Sequence, residues 1–242
     1  MSYTIALMIA YFESILFSAR PLQLVIWATV YFLVIYLTFA SLTWCLAKLI
    51  NRPIEKRKTS SAQIYKEIVN SLRSILIFGI GILIPWGMVK YNIAPLTNKF
   101  SVVSIIIETL VLIVWNDVHF YAVHRLLHSK LKKSHVTHHR SISTTPFAAY
   151  SMSSWEAILL GSVMPIVMLF YPFSIVSLVF LPIWSIAINT LAHSNCNLFP
   201  NASEHSLFSL ARHHQNHHSN YHGNYSFFFN QLDRWFKTSQ KQ

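Results

Sequence analysis

The sequence predicts an all-α polytopic membrane protein with about four to six membrane helices and a histidine-rich cap on one side. Hydrophobic residues make up 53% of the 242 residues and charged residues only 11%, whereas soluble domains carry about 25% charged residues. Several apolar runs reach the roughly 20 residues that a helix needs to cross a bilayer. Most of the thirteen histidines lie between or after these runs, which predicts the cap.

Six apolar segments account for the predicted membrane helices. The first contains Glu13 and is either a span or an interfacial helix. The third contains Pro85, which predicts a kink, and the polar, basic residues 51–67 before it are predicted to form a loop. The last two segments are separated by Tyr171-Pro172 and are predicted to form a helical hairpin. In chain order the segments are residues 3–19, 22–50, 72–93, 102–121, 155–170 and 173–193.

The chain is predicted to be a single integral-membrane domain over residues 1–242. Membrane helices occupy most of residues 1–121, and residues 155–193 form the apolar hairpin. Two histidine cap segments, residues 122–154 and residues 194–242, flank that hairpin.

The distribution of basic residues predicts that the cap is cytoplasmic. When segment ends are assigned to alternating sides, sixteen of the nineteen lysines and arginines fall on one side, and such an excess marks the cytoplasmic side. The same alternation puts both histidine clusters and His193 there. We expect a bacterial inner membrane rather than an endoplasmic reticulum because the chain is short. The net charge of +11 suits an anionic lipid surface, whereas a nucleic-acid-binding protein would not carry such long apolar runs.

The spacing of the histidines predicts a metal site with two ions. His124 and His128 are four residues apart, and the motif HxxHH occurs at residues 135–139 and 214–218. With about 3.6 residues per helical turn, each set shares a helix face, so all three histidines of an HxxHH motif can point into one site. Together with His193 these sets supply nine imidazoles, which exceeds what one ion accepts. The nine candidate ligands are His124, His128, His135, His138, His139, His193, His214, His217 and His218.

Several further residues are candidates for supporting roles. Asp117 lies on the helix face of His124 and is either a ligand or an acceptor for the N–H of a ligand histidine. Glu156 begins the hairpin, where it either favours the helix dipole or belongs to the site. Glu108 lies at membrane depth and must be paired or protonated. The four remaining histidines are expected to be structural, supporting or surface residues: His119, His205, His213 and His222.

The ligand type and the apolar surroundings favour redox chemistry on an apolar substrate. Imidazole sites suit Zn, Fe, Cu or Ni, and the sequence has no HExxH or GxSxG motif for hydrolysis and no GxGxxG or P-loop for a nucleotide. Electrons would therefore come from a separate protein or domain. A zinc-dependent membrane hydrolase and a non-catalytic metal-binding protein are alternatives, whereas a metal transporter would carry its ligands at mid-membrane. Four aromatic residues near the cap are candidate walls of a substrate channel or members of an interfacial belt: Trp115, Tyr121, Phe147 and Tyr150.

The ordered histidine boxes resemble those of the fatty acid hydroxylase/sterol desaturase superfamily. The boxes read DVHFYAVHRLLH, HVTHH, LAHSN and HQNHHSNYHGNY, followed by LDRWFKT, and they span residues 117–238. The resemblance implies a membrane-bound oxygenase with a cytosolic cap, in which the nine histidines hold two iron ions, with zinc as a substitute. It implies a lipid substrate, sterol or fatty-acyl or related, that is hydroxylated or desaturated with O2. It also implies supporting roles for Asp117 and Asn224 and a structural role for Asp233-Arg234; Glu156 joins the supporting candidates by its position at the start of the hairpin.

The resemblance implies an external electron donor as well, a protein similar to cytochrome b5, ferredoxin or rubredoxin. This chain departs from the family pattern at Ser153, where relatives often carry a histidine. If that histidine is a ligand in them, this chain has a changed coordination set or uses His119 or His213 instead. Lys237 also stands where a glycine is usual. An inactive relative that acts as a scaffold would keep the fold and lose ligands, and Ser153 is the feature that points that way.

Overall fold

The computed structural model describes residues 3–97 and 101–240. Helices make up 70% of the chain and the described residues form no strand, which confirms the predicted all-α class. The helices, in chain order, are α1 Tyr3–Ser18, α2 Pro21–Ile50, α3 Ser61–Gly81, α4 Leu83–Lys90, α5 Val102–Ser129, α6 Lys132–His139, α7 Ser154–Gly161, α8 Val163–Met168, α9 Ile175–Ala192, α10 Leu210–Asn220 and α11 Gln231–Trp235, with short 3-10 turns at Pro146–Tyr150 and Leu207–Ser209.

Four helical stretches of the described chain are long and apolar enough to cross a membrane. They are Pro21–Ile50, Ser61–Lys90, Val102–Ser129 and Ile175–Ala192. The apolar window of α2 is only 28% buried within the protein, so side chains such as Leu22 and Val30 are exposed and require lipid around them. The other two apolar segments are shorter: α1 has 16 residues, and the first arm of the hairpin is the broken stretch Ser154–Met168.

Two helices extend beyond the apolar segments that predict them. α3 begins at Ser61, inside the expected loop, because the Ser60 hydroxyl accepts the Gln63 N–H at 3.1 Å and caps the helix. α5 continues to Ser129, so the predicted cap boundary at residue 122 falls inside a helix. As a result, the first histidine pair is carried on a rigid membrane helix.

The span Ser61–Lys90 is interrupted near Pro85. α3 ends at Gly81 and α4 begins at Leu83, so the helix is interrupted at Ile82. Pro85 has no N–H to offer the carbonyl four residues earlier, and its ring crowds that carbonyl. The break agrees with the predicted kink, and it opens space between this span and its neighbours.

The α2–α3 contact depends on a glycine. A Cβ built on Gly79 would lie 2.0 Å from Oγ1 of Thr29, which is far inside any normal contact. The missing side chain lets the two helix backbones approach closely. Tyr36 of α2 also stacks on Tyr150 with ring centroids 5.9 Å apart, and its hydroxyl donates to the Phe147 carbonyl at 3.0 Å.

Glu108 finds its partners at the start of α9. One carboxylate oxygen accepts the Ser174 N–H at 2.9 Å and the hydroxyls of Ser174 and Ser177 at 2.7 and 2.8 Å. The Thr97 N–H donates to the Phe173 carbonyl at 3.2 Å, so this turn lies at the end of the bundle remote from the cap. α9 therefore runs back towards the cap and ends beside α5.

Candidate metal centre

Four helices bring the nine predicted histidines together at one end of the bundle. α5 carries His124 and His128, His193 follows the last residue of α9, and α6 and α10 carry the two HxxHH motifs. The rings form two groups, and within each group the candidate ligand nitrogens all lie within 4.8 Å of one another. Group 1 consists of His124, His128, His135, His139 and His217, and group 2 consists of His138, His193, His214 and His218.

Each HxxHH motif, whose spacing allows all three rings to point into one site, is divided between the two groups. In the first motif His135 and His139 belong to group 1 and His138 to group 2; in the second motif the assignment is reversed. Residues four apart on a helix differ in direction by about 40°, whereas neighbours differ by about 100°. The ring centroids of His135 and His139 are accordingly 4.5 Å apart, whereas those of His138 and His139 are 5.9 Å apart. Each short helix thus serves both groups.

Backbone carbonyls determine how rings of group 1 are protonated. A carbonyl oxygen only accepts hydrogen bonds, so the ring nitrogen that faces it carries the proton and the other nitrogen holds the lone pair. Nδ1 of His124 donates to the Tyr225 carbonyl at 2.9 Å, and Nδ1 of His217 donates to the Gly223 carbonyl at 2.7 Å. The Nε2 lone pairs of both rings therefore point into group 1.

Group 2 is arranged in the same way. Nδ1 of His138 donates to the Ser151 carbonyl at 3.2 Å, and Nδ1 of His193 donates to the Asn189 carbonyl at 2.9 Å. The two Nε2 atoms lie 3.2 Å apart, so two lone pairs face each other in a buried space.

Glu156 orients one ring of group 1. Its Oε1 accepts a hydrogen bond from Nδ1 of His135 at 2.9 Å, and both side chains are buried. A carboxylate in this position fixes the tautomer of a ligand histidine and raises the basicity of its other nitrogen. Glu156 also lies in the first turn of α7, where the Ser153 hydroxyl accepts its N–H at 3.2 Å. Ser153 therefore caps α7 and belongs to neither histidine group.

A cation in each group accounts for the facing lone pairs. The bare Nε2 atoms of His124 and His135 are 3.1 Å apart, an arrangement that is repulsive between neutral rings. Two nitrogens that bind one ion at about 2.1 Å and at a right angle are about 3.0 Å apart. Neighbouring Nε2 atoms lie 3.0–3.2 Å apart in both groups, so the residues present fit a pair of metal ions.

Burial keeps the rings neutral, as metal binding requires. It lowers the pKa of His138 to about 4. Burial, followed by the neighbouring histidines, lowers the pKa of His139, His214 and His218 well below the ordinary value. Nδ1 of each of these three rings is buried and has no hydrogen-bond partner among the described residues. At neutral pH these rings therefore offer lone pairs rather than charges.

Asp117 holds the loop that follows α10. Its two carboxylate oxygens accept the backbone N–H groups of Phe228 at 2.6 Å and Phe229 at 3.1 Å. Both oxygens of the side chain are thus occupied by backbone N–H groups of this loop. Asp117 ties the loop containing Tyr225 to α5, and the Tyr225 carbonyl accepts the proton of His124.

Asp233 organises the same loop from the other side. It is fully buried and accepts the Tyr225 N–H at 2.8 Å, Nε2–H of His213 at 2.9 Å and the Thr238 hydroxyl at 2.6 Å. Burial alone would raise the pKa of this carboxyl, but these hydrogen bonds outweigh burial and hold its pKa below the usual value. His213 is thus a partner of Asp233 and is not recruited to either group.

Asn224 fastens the C-terminal segment. Its Oδ1 accepts the Gln240 N–H at 2.8 Å, and its own N–H donates to the Thr238 carbonyl at 2.8 Å. Lys237 has a φ of 55°, the left-handed region that glycine adopts most easily, which explains why glycine is usual there.

The other predicted histidines lie outside the two groups. Nε2 of His119 lies 3.1 Å from the Ser162 hydroxyl, and His205 and His222 are exposed. Four backbone acceptors contribute to the centre and have no sequence signal, because any residue supplies a carbonyl: Ser151, Asn189, Gly223 and Tyr225.

An apolar cavity of about 680 Å³ lies beside the histidine groups. It lies among α3, α4, α5, α7, α8 and α9, and its size is within the range of small-molecule sites, about 300–1,000 Å³. Of the four aromatic residues predicted as walls, Tyr150 lines it and the others pack elsewhere. Four lining residues also border a void of about 10 Å³ against the histidine rings: Phe120, Met152, Leu160 and Asn189.

The part of the chain that carries groups 1 and 2 matches a known protein family. The sequence model of the Fatty acid hydroxylase family matches residues 109–238, which is more than half of the 242-residue chain and includes all nine histidines. No curated protein and no solved structure matches the chain.

Proposed function

We propose that this chain, which belongs to the fatty acid hydroxylase family, is a membrane-bound di-iron oxygenase that hydroxylates or desaturates a C–H bond of a sterol, fatty-acyl or related lipid. Family membership supports the oxidoreductase class, and four apolar helices support an integral membrane location. The observation that carries the proposal is the position of two converging sets of imidazole lone pairs at the end of an apolar cavity.

The two histidine groups would each hold one iron ion. Bound iron would supply the activation of O2 and the oxidation of a C–H bond. Imidazole suits iron and zinc alike, so zinc can replace iron in the same groups. The division of each HxxHH motif supports two ions rather than one, because α6 and α10 each direct rings to both groups.

The chain's own residues orient the ligands and exclude water. Glu156 keeps Nδ1 of His135 occupied, so that Nε2 faces group 1. Backbone carbonyls do the same for rings on α5, α6, α9 and α10. Phe120 and Leu160 lie where the cavity meets the rings, and they would direct an apolar substrate towards them while leaving little room for water.

We also propose a cytoplasmic cap, in a bacterial inner membrane, that receives electrons from a separate protein similar to cytochrome b5, ferredoxin or rubredoxin. The exposed basic residues around α6 support this orientation. They are Lys130, Lys132, Lys133 and Arg140. No nucleotide motif is present in the sequence, which supports an external donor.

The test is metal analysis of the purified protein combined with oxygen uptake on a lipid pool under a chemical reductant. Two iron ions per chain, reductant-dependent O2 uptake and lipid products that carry isotope label from O2 are expected for hydroxylation, and dehydrogenated lipids for desaturation. His193→Ala is expected to abolish uptake, whereas the exposed His205→Ala retains it. Two results together would refute the proposal in favour of a hydrolase or a metal-binding protein. The protein as purified would contain zinc at full occupancy, and the iron-loaded protein would show no O2 uptake.

A further inference from the structure

We propose that the apolar cavity binds an uncharged lipid whose hydroxyl group is held by Asn116 and His119. This inference rests on the proposed function and narrows its substrate class. It makes the two residues specificity determinants that touch the lipid and not the metal.

The lining of the cavity selects against charge. Among the described residues that line it there is no Asp, Glu, Lys or Arg, and apolar side chains supply most of the surface. An ionised carboxylate or phosphate would lose its hydration there and gain no counter-ion, which is strongly unfavourable. A free fatty acid or a phospholipid headgroup is therefore a poor occupant, and a neutral lipid is a good one.

Asn116 is a buried amide that lacks a partner. Its side chain lines the cavity, and the residue is only 7% exposed. No described residue forms a hydrogen bond with its side-chain amide. Buried polar groups are nearly always hydrogen-bonded, because an unpaired amide in apolar surroundings is destabilising. The amide can donate from Nδ2 and accept at Oδ1, so a polar atom of a bound lipid would satisfy it.

His119 lies one turn further along α5, on the same face as Asn116. The Ser162 hydroxyl donates to the Leu159 carbonyl at 2.7 Å, so it accepts from Nε2 of His119 at 3.1 Å. Nδ1 of His119 therefore holds a lone pair, and no described residue donates to it. A hydroxyl that accepts from the Asn116 amide and donates to Nδ1 of His119 satisfies both residues at once.

The position of this pair determines which carbon reaches the histidine groups. Asn116 and His119 precede His124 by eight and five residues, which corresponds to about 12 and 7.5 Å along α5. The carbon presented to groups 1 and 2 is therefore remote from the carbon that bears the hydroxyl. Oxidation is expected well along the ring system or chain, away from the existing polar group.

The test is equilibrium binding to the iron-loaded protein in nanodiscs, corrected for uptake by empty nanodiscs. The probes are hexadecanol against hexadecane and cholesterol against cholestene, with hexadecanoate as the charged analogue. The hydroxyl is expected to give about tenfold tighter binding in at least one pair, and hexadecanoate is expected to bind at least tenfold more weakly than hexadecanol. Equal binding of alcohol and hydrocarbon in both pairs would overturn the proposal.

Variants show whether the preference comes from these residues. Asn116→Leu and His119→Phe are each expected to remove most of the preference while leaving hydrocarbon binding within about twofold. Ser185→Ala, at another polar position of the lining, is the matched control and keeps the preference. Metal content and thermal unfolding check the fold of each variant, and Asn116→Leu decides alone if His119→Phe does not fold. An unchanged preference in Asn116→Leu contradicts the assignment.

Binding needs neither turnover nor electrons, so this test is separable from that of the proposed function. A hydroxyl preference without O2 uptake refutes the oxygenase and leaves the lipid site standing. O2 uptake on lipids without any hydroxyl preference refutes the lipid site and leaves the oxygenase standing.

Discussion

Replacement of Glu156 tests whether a buried carboxylate prepares His135 for metal binding. Glu156 is 1% exposed and accepts the His135 Nδ1–H at 2.9 Å. Glu156→Gln keeps an oxygen acceptor of similar shape and removes the negative charge. Glu156→Leu removes the acceptor as well, so the pair of variants separates the effect of charge from that of orientation.

The expected magnitude follows from the geometry. Partners of this kind contribute about 10–100-fold to metal affinity, which corresponds to about 1.4–2.8 kcal/mol. Glu156→Gln is expected near the lower end because the ring stays oriented, and Glu156→Leu near the upper end. His135 belongs to group 1, so the loss of affinity falls mainly on one of the two ions. At intermediate chelator concentrations the metal content is expected to drop from two towards one ion per chain.

The assay is dialysis against a graded series of chelator concentrations, followed by elemental analysis of the retained metal. Glu204→Gln is the matched control because that residue is exposed. Wild-type retention of both ions by Glu156→Leu would refute the orienting role. An equal loss of both ions in Glu156→Gln would contradict the assignment of His135 to group 1.

Three further changes test the frame of the site. Gly79→Ala is expected to destabilise the protein by about 1–3 kcal/mol, because its Cβ would lie 2.0 Å from a threonine hydroxyl of α2; Gly87→Ala, which has open space around it, should not lower the thermal unfolding temperature. Asp233→Asn removes a buried charge-assisted acceptor and is expected to cost about 1.5–3 kcal/mol in thermal unfolding, whereas the exposed neighbour Arg234→Gln stays within about 0.5 kcal/mol. The pKa of His138 falls from 6.5 to about 4 on folding, so the unfolded chain binds more protons than the folded protein between these pH values. The metal-free protein is therefore expected to lose stability as the pH falls through this window. An unfolding temperature that stays constant over this window would contradict the expectation.

Hydropathy predicts the membrane helices well because lipid leaves the backbone no alternative to internal hydrogen bonding. It does not predict where α3 begins or where α5 ends. The first turns of α3 are polar and depend on the Ser60 cap, and the last two turns of α5 contain histidines that hydropathy assigns to a loop. Apolar content therefore indicates the part of a helix in lipid and not its full length.

The spacing of the histidines identifies the candidate ligands, but their division between groups 1 and 2 depends on the angle at which each side chain leaves its helix. Neighbouring residues on a helix point about 100° apart, so the two adjacent histidines of each HxxHH motif enter different groups. The backbone acceptors that fix the tautomers have no sequence signal at all. The cavity also has no sequence signal, because α3, α5, α7 and α9 form its walls only once they are packed together.

The shared use of α6 and α10 couples the two groups through the fold. Each of these helices has only about two to three turns, yet each directs rings into both groups. Isolated helices of this length are marginal in water, so α6 and α10 depend on their contacts with α5, α9 and the loop held by Asp117 and Asp233. One misplaced ring weakens one group, but a displaced α10 removes His214, His217 and His218 together and leaves neither group complete. The two carboxylates that bind this loop therefore help to hold the imidazoles of both groups in place.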